Sequence, residues 1–150
     1  MRHFLPLFIV TPLLAGCTSN ERPLIISEGR ESINYSDFAD IKLKWENLFS
    51  PAKSQYFVYI YSISCGHCEN IKPIVLDYID NEKDWFYILE YSSDIPISTN
   101  VKGTIGKRDV SQVSILGTPT LLQVTNKYVS LNIAGEKDIL QFLEYLPHNC

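Results

Sequence analysis

The apolar run Tyr56, Phe57, Val58, Tyr59, Ile60, Tyr61, continuing to Ile63, leads almost directly into Cys65, Gly66, His67, Cys68. Aromatic and β-branched residues fill both alternating faces of the run, which predicts a strand buried on both sides. Such a strand needs a layer of structure above it and another below. Beyond it, Ile71, Ile74, Val75, Tyr78 and Ile79 recur at helical spacing with Pro73 among them, predicting a helix through Tyr78 that the proline kinks. Two thiols three positions apart at the start of that helix can close a disulfide with each other, and the helix N-terminus favours the thiolate of the first. The spacing suits reversible thiol and disulfide exchange.

The other elements are read the same way. At 150 residues, 45% hydrophobic and 20% charged, the chain has room for one domain with a sizeable core. Ile33 to Tyr35 reads as a brief strand, and Ser36 as the cap of a helix over 37–49 with Phe38, Ile41, Trp45 and Leu48 on one face, ended by Pro51. Trp85 to Tyr91 reads as a strand, 92–106 as a polar loop and 109–115 as a short helix. Asn126 and Lys127 join two strands, 120–125 and 128–134, in a tight hairpin. Gly135 breaks the run, and 137–146 closes the chain as a helix with Ile139, Leu140, Phe142 and Leu143 inward. Alternating strands and helices of this kind predict an α/β sandwich around a mixed sheet.

The first residues stand apart. Met1, Arg2, His3 make a short basic start, and Phe4 to Leu14 is an apolar run too short for a permanent bilayer span. The following Leu13, Leu14, Ala15, Gly16, Cys17 resembles the lipobox of bacterial lipoproteins. The resemblance implies a signal peptide over 1–16, a diacylglyceryl thioether on Cys17, and a domain anchored by lipid on the extracytoplasmic side of the cell membrane. An ordinary secretory signal with an incidental cysteine is the alternative. Polar residues from Thr18 to about Ser32 then form a tether, and 33–150 the folded domain. Removing 1–16 takes away Arg2 and moves the formal net charge from −4 to −5, and no basic run appears, so nucleic acid is excluded as a partner.

Three features together resemble the thioredoxin family: C-x-x-C between a buried strand and a helix, Pro73 five positions after the second cysteine, and Gly117, Thr118, Pro119, Thr120 before a hairpin and last helix. The likeness runs from about Ile33 to Leu146 and implies a thioredoxin-like three-layer α/β/α sandwich with a mixed central sheet. It further implies a cis Pro119, with the backbone before it at Thr118 pairing with an extended substrate. No cofactor beyond the redox-active disulfide is expected. Cys65, at the helix tip, is the attacking thiol and Cys68, one turn in, the resolving one; His67 at the helix start is placed to stabilise the Cys65 thiolate. The Gly66, His67 pair is like that of protein disulfide isomerases, near −180 mV against about −270 mV for thioredoxin, a difference of roughly 4 kcal/mol. The chain departs from the family at Tyr59 and Ser64, where thioredoxins carry a buried aspartate and a tryptophan. A tyrosine hydroxyl is a poor base near neutral pH. Glu90, at the end of the next strand, is the candidate to accept the proton of the buried thiol, with a plain surface carboxylate as the alternative.

Rival readings of the pair differ in strength. Tetrahedral zinc needs four ligands, and beyond the pair the chain offers only His67, His3, His148 and Cys150, so no metal is expected. Haem attachment needs histidine where Glu69 stands. A structural disulfide stapling an exported domain is the more serious rival. Cys150 reads as a silent chain end, with pairing to another molecule or service as an accessory thiol as alternatives. The expected function is an extracytoplasmic thiol:disulfide oxidoreductase acting on exported proteins or peptides and recharged by an unidentified redox partner. The alternative is an accessory or binding lipoprotein of the bacteriocin transport accessory type, with little or no catalysis.

Overall fold

The structure, a computed structural model, describes residues 33–146. The expected signal peptide, lipid-bearing Cys17 and tether, together with His148 and Cys150, therefore lie outside the described residues.

Five strands form one mixed sheet: β1 (Lys42–Leu43), β2 (Gln55–Tyr61), β3 (Phe86–Glu90), β4 (Thr120–Thr125) and β5 (Tyr128–Ala134), in the spatial order β1-β3-β2-β4-β5. β3 runs parallel to both β1 and β2, while β4 is antiparallel to β2 and to β5. The uninterrupted apolar content of β2 has its cause here, since β2 is central and every residue from Tyr56 to Tyr61 is buried. Period-two alternation sends Phe57, Tyr59 and Tyr61 to one face and Tyr56, Val58 and Ile60 to the other. On the first face lie the two helices, α1 (Gly66–Asn81) and α2 (Glu136–Tyr145), contributing Ile71, Val75, Leu76 and Ile79 and Ile139 and Leu143. Pro73 lies inside α1, removing the N–H that would have bonded the carbonyl of Glu69.

The opposite face is covered differently from expectation. Instead of one helix over 37–49, the chain makes a 3-10 turn at Tyr35–Ile41, the two-residue strand β1, and a second turn at Trp45–Asn47. A continuous helix would have kept Phe38 and Trp45 on one side. In the fold, Phe38 packs in the α1 and α2 core while Trp45 and Leu48 pack under the other face. Pairing of Lys42 with Ile88 and Leu43 with Leu89 captures the segment as an edge strand, and those long-range hydrogen bonds override a helical period. Neither a strand at 33–35 nor a cap by Ser36 forms; the first turn is closed by the Asn34 backbone N–H donating to the Asp37 carboxylate at 2.8 Å. The 92–115 segment completes this layer with 3-10 turns at Val101–Thr104 and Val110–Gln112 instead of a helix, burying Ile95, Val113 and Ile115. Asn132 pins it from β5, its Nδ2 donating to Thr104 Oγ1 at 3.0 Å and Ser114 O at 2.9 Å. Three layers result, with the third built of turns.

Candidate active site

β2 ends at Tyr61 and the chain turns through Ser62 to Ser64, the Cys65 N–H donating to Ser62 O at 3.2 Å. That turn delivers Cys65 as the N-cap of α1. A helix N-terminus leaves backbone N–H groups unpaired, and one of them is answered by sulfur: the Cys68 N–H donates to Cys65 Sγ at 3.1 Å. Both cysteines are free thiols, Cys65 partly exposed and Cys68 only 1% exposed.

The second wall is the Gly117 to Thr120 segment that leads into β4. Its Thr118–Pro119 bond is cis, and the Thr118 carbonyl lies 3.2 Å from Cys65 Sγ. Thr120 Oγ1 donates to Gly117 O at 2.6 Å, and the Gly135 N–H donates to Pro119 O at 2.9 Å, tying this segment to the start of α2. Gly135 has φ +101°, a conformation that glycine adopts without penalty.

The two sulfurs are pushed in opposite directions. Burial acts to raise the Cys65 pKa, but hydrogen bonds from the Cys68 thiol, Thr118 and the backbone N–H groups of Cys68 and His67 outweigh it, holding the thiol below the ordinary cysteine value. Burial, with the proton it shares toward Cys65, pushes Cys68 up to about 11. One thiol is thus primed as thiolate, and its neighbour is kept protonated until it is needed.

The remaining candidates are placed as follows. His67 is exposed, and its ring turns away from the sulfur to Glu136 of α2, Nδ1 lying 3.2 Å from Oε2; Asn70 Nδ2 reaches the same oxygen at 3.3 Å. What His67 gives Cys65 is a backbone N–H, not an imidazole. A carboxylate from α2 competes for the ring, and nothing in the local sequence of α1 announced it. Gly66 is exposed with open space where a Cβ would stand. Glu90 is drawn to the sheet edge, where Lys42 Nζ donates to its Oε2 at 2.7 Å, and among the described residues it bonds neither sulfur. Ser64 is exposed and pairs with Ser62, Oγ to Oγ at 3.0 Å. Among the described residues, no group of three or more His, Cys, Asp or Glu side chains is arranged to hold a metal ion.

Sequence reasoning missed Tyr35. It stacks on Tyr61 with ring centroids 3.6 Å apart, and its hydroxyl, like that of the fully buried Tyr59, is buried without a hydrogen-bond partner among the described residues. Burial holds both phenol pKa values well above the ordinary tyrosine value.

No protein-family model matches the chain, and no curated protein matches it in sequence. Among solved structures it is similar to thioredoxin f2 of Chlamydomonas reinhardtii, at 18% identity over 73% of this chain and 98% of that one, with a TM-score of 0.50. Overlays on mitochondrial thioredoxin 3 of Saccharomyces cerevisiae (16% identity, 70% and 93% covered, TM-score 0.43) and on Plasmodium falciparum thioredoxin (15%, 70% and 98%, 0.44) are looser. At such identities the likeness is one of fold, and together with the mixed five-stranded sheet it makes the architecture α/β and thioredoxin-like.

Proposed function

We propose that this chain is a thiol:disulfide oxidoreductase that works through Cys65 and Cys68 on exported proteins or peptides, held outside the cytoplasmic membrane by lipid on Cys17. The observation that carries the reading is the split between the sulfurs: Cys65 is partly exposed and acidified at a helix N-terminus, and Cys68 is buried and held protonated. A structural staple has no use for that asymmetry. Attack needs a thiolate with access to the client, and resolution needs a second thiol that stays silent until the mixed disulfide has formed.

In the oxidising direction the client thiolate attacks the Cys65–Cys68 disulfide at Cys65, releasing Cys68 as thiolate; a second client thiol then attacks the client sulfur of the mixed disulfide and expels Cys65. In the reducing direction the Cys65 thiolate attacks a client disulfide, and Cys68 attacks Cys65 to release the reduced client. The Thr118 carbonyl beside Cys65 offers an acceptor to an extended client backbone, and exposed Ile63 and Leu116 offer it apolar contact. His67 and Glu136 form a polar rim on the α2 side. Net direction follows from the redox partner that recharges the pair.

Insulin reduction and refolding of a reduced, disulfide-containing client by the full chain test the reading. Cys65→Ser abolishes both activities, and Cys68→Ala accumulates mixed disulfides on Cys65 that mass spectrometry identifies. A biological activity that survives Cys65→Ser intact favours the accessory lipoprotein instead.

A further inference from the structure

The Gly66, His67 dipeptide offers the Cys65 thiolate a stabilising imidazole, and the fold withholds it. His67 stands in the first turn of α1, between Cys65 and Cys68, whose N–H donates to Cys65 Sγ at 3.1 Å. An imidazole in that turn can swing to the sulfur by a rotamer change alone, without moving the backbone. Instead its Nδ1 lies 3.2 Å from Oε2 of Glu136, the first residue of α2, and Asn70 Nδ2 reaches the same oxygen at 3.3 Å. His67 and Asn70 are three residues apart and so share one face of α1. A carboxylate only accepts, so the hydrogen of the ring contact sits on Nδ1. Glu69, the carboxylate of the same turn, is engaged by Lys72 at 2.8 Å. Where Glu136 emerges is fixed by the exchange site itself. The preceding Gly135 donates its N–H to Pro119 O at 2.9 Å, and Pro119 follows the Thr118 whose carbonyl lies 3.2 Å from Cys65 Sγ. Sulfur, Thr118 segment, carboxylate and ring thus close one circuit of contacts. Side-chain exposures of 76% and 37% make the His67 and Glu136 pair too solvated to add much to stability. Choosing between two positions of an exposed ring needs little energy, and that is within its reach.

We propose that Glu136 is a positioning residue of the exchange site: by holding the His67 ring off Cys65 it keeps the Cys65–Cys68 pair less oxidising than its Gly66, His67 dipeptide alone would make it. The inference rests on the exchange reading and deepens it. Without Glu136, the ring turns to Cys65 Sγ and donates to the thiolate in place of the carboxylate. A thiolate stabilised in this way stabilises the reduced pair, and the disulfide then draws electrons more strongly. With Glu136 in place, the sulfur keeps its hydrogen bond from the Cys68 N–H while the ring is engaged elsewhere. Glu136 acts through His67 and not on the reacting sulfur, and Asn70 helps by fixing the carboxylate oxygen from the same helix face.

The test equilibrates the full chain with glutathione buffers at neutral pH. In that reaction the Cys65–Cys68 bond breaks as the disulfide of oxidised glutathione forms, and the two thiol protons of reduced glutathione pass to the cysteines. Acid quench, alkylation and peptide mass spectrometry count the two forms at Cys65 and Cys68. Glu136→Ala is expected to shift the equilibrium constant about fivefold toward the dithiol, a potential about 20 mV higher. The ionisation of Cys65 moves to lower pH with it, read as thiolate absorbance. Glu136→Gln, which keeps an oxygen for both donors, stays within about twofold of the parent. In a His67→Ala background, Glu136→Ala leaves the equilibrium where that background has it, because the two residues act in series. Three results overturn the proposal: an equilibrium that Glu136→Ala leaves unchanged, a Glu136→Gln shift as large as that of Glu136→Ala, or a shift that persists without His67. The last two mean that the charge acts on the sulfur directly. If Glu136→Ala fails to fold, Glu136→Ser, too short to reach the ring, decides in its place. A parent pair that never equilibrates with glutathione defeats the exchange reading itself, whereas a parent that equilibrates and a variant that matches it defeat only the role of Glu136.

Discussion

Cys65 and Cys68 are the same chemical group three residues apart, and the fold makes them different acids. The contributions are separable. Burial works against both thiolates, but Cys65 collects hydrogen bonds that favour its charge, one of them from the side chain of a residue 53 positions away, Thr118. Thr118→Val removes the hydroxyl and keeps the carbonyl. Its expected effect is an upward move of the Cys65 ionisation, read as thiolate absorbance in the ultraviolet against pH; a midpoint that stays put would show that the backbone N–H groups alone suffice. In the parent, alkylation of Cys65 rises with pH below the ordinary cysteine range, and Cys68 follows only near pH 11. Of this site, the C-x-x-C pair was legible in the sequence because adjacency along the chain carries it, and the Thr118, Pro119 segment only through the family resemblance of its motif. The partnership of His67 with Glu136 was not, since it spans 69 residues and depends on how α2 lies across α1. Glu90 went to Lys42 for a similar reason: the β1 edge that delivers the lysine was itself invisible.

Among the elements, the β4 and β5 hairpin followed local rules, and the segment before β2 did not. Asn126 and Lys127 both take positive φ, +46° and +64°, the tight turn that their position between two apolar strands predicts. Lysine is a poor choice for that conformation, at a cost of about 1 kcal/mol relative to glycine. Its side chain offsets this: Lys127 Nζ donates to Phe49 O at 2.8 Å, to Ser50 O at 3.3 Å and to Pro51 O, fastening the hairpin to the loop before β2. Hydrogen bonds from a charged donor are worth about 1.5–3 kcal/mol, so the tie outweighs the strain. Lys127→Gly is therefore expected to lower stability by roughly 1–2 kcal/mol despite relaxing the turn, measured as the midpoint of chemical unfolding; an increase would mean that turn strain dominates. Residues 37–49 show the limit of such reasoning. Phe38, Ile41, Trp45 and Leu48 have a helical period, yet the sheet needed an edge strand and a residue for each face, and the period was overridden.

On the scale of the whole molecule, two apolar cores flank one sheet, and buried tyrosines run through both. Burial raises the pKa of Tyr35, Tyr56, Tyr59, Tyr61 and Tyr78, to about 12 for Tyr56 and Tyr78. An unfolded tyrosine ionises near 10, so above that pH the unfolded chain releases protons that the folded one keeps. Their contribution to stability is complete below pH 10 and is lost as pH rises toward the folded values, at up to about 1.4 kcal/mol per pH unit for each tyrosine. Tyr56→Phe separates this from packing. It loses the hydroxyl's 2.7 Å hydrogen bond to Leu48 O and is less stable near neutrality, by about 1 kcal/mol, yet its stability falls less steeply between pH 10 and 12. Parallel slopes for parent and variant would remove Tyr56 from the alkaline response. By itself, the sequence determined what adjacency and period encode: a strand buried on both sides, a thiol pair at the helix that follows, the hairpin, the closing helix and the α/β class. Only the tertiary structure decided the third layer of turns, the partner of His67, and the stacking of Tyr35 on Tyr61. Those depend on contacts between residues far apart in the chain, whose energies no local pattern records.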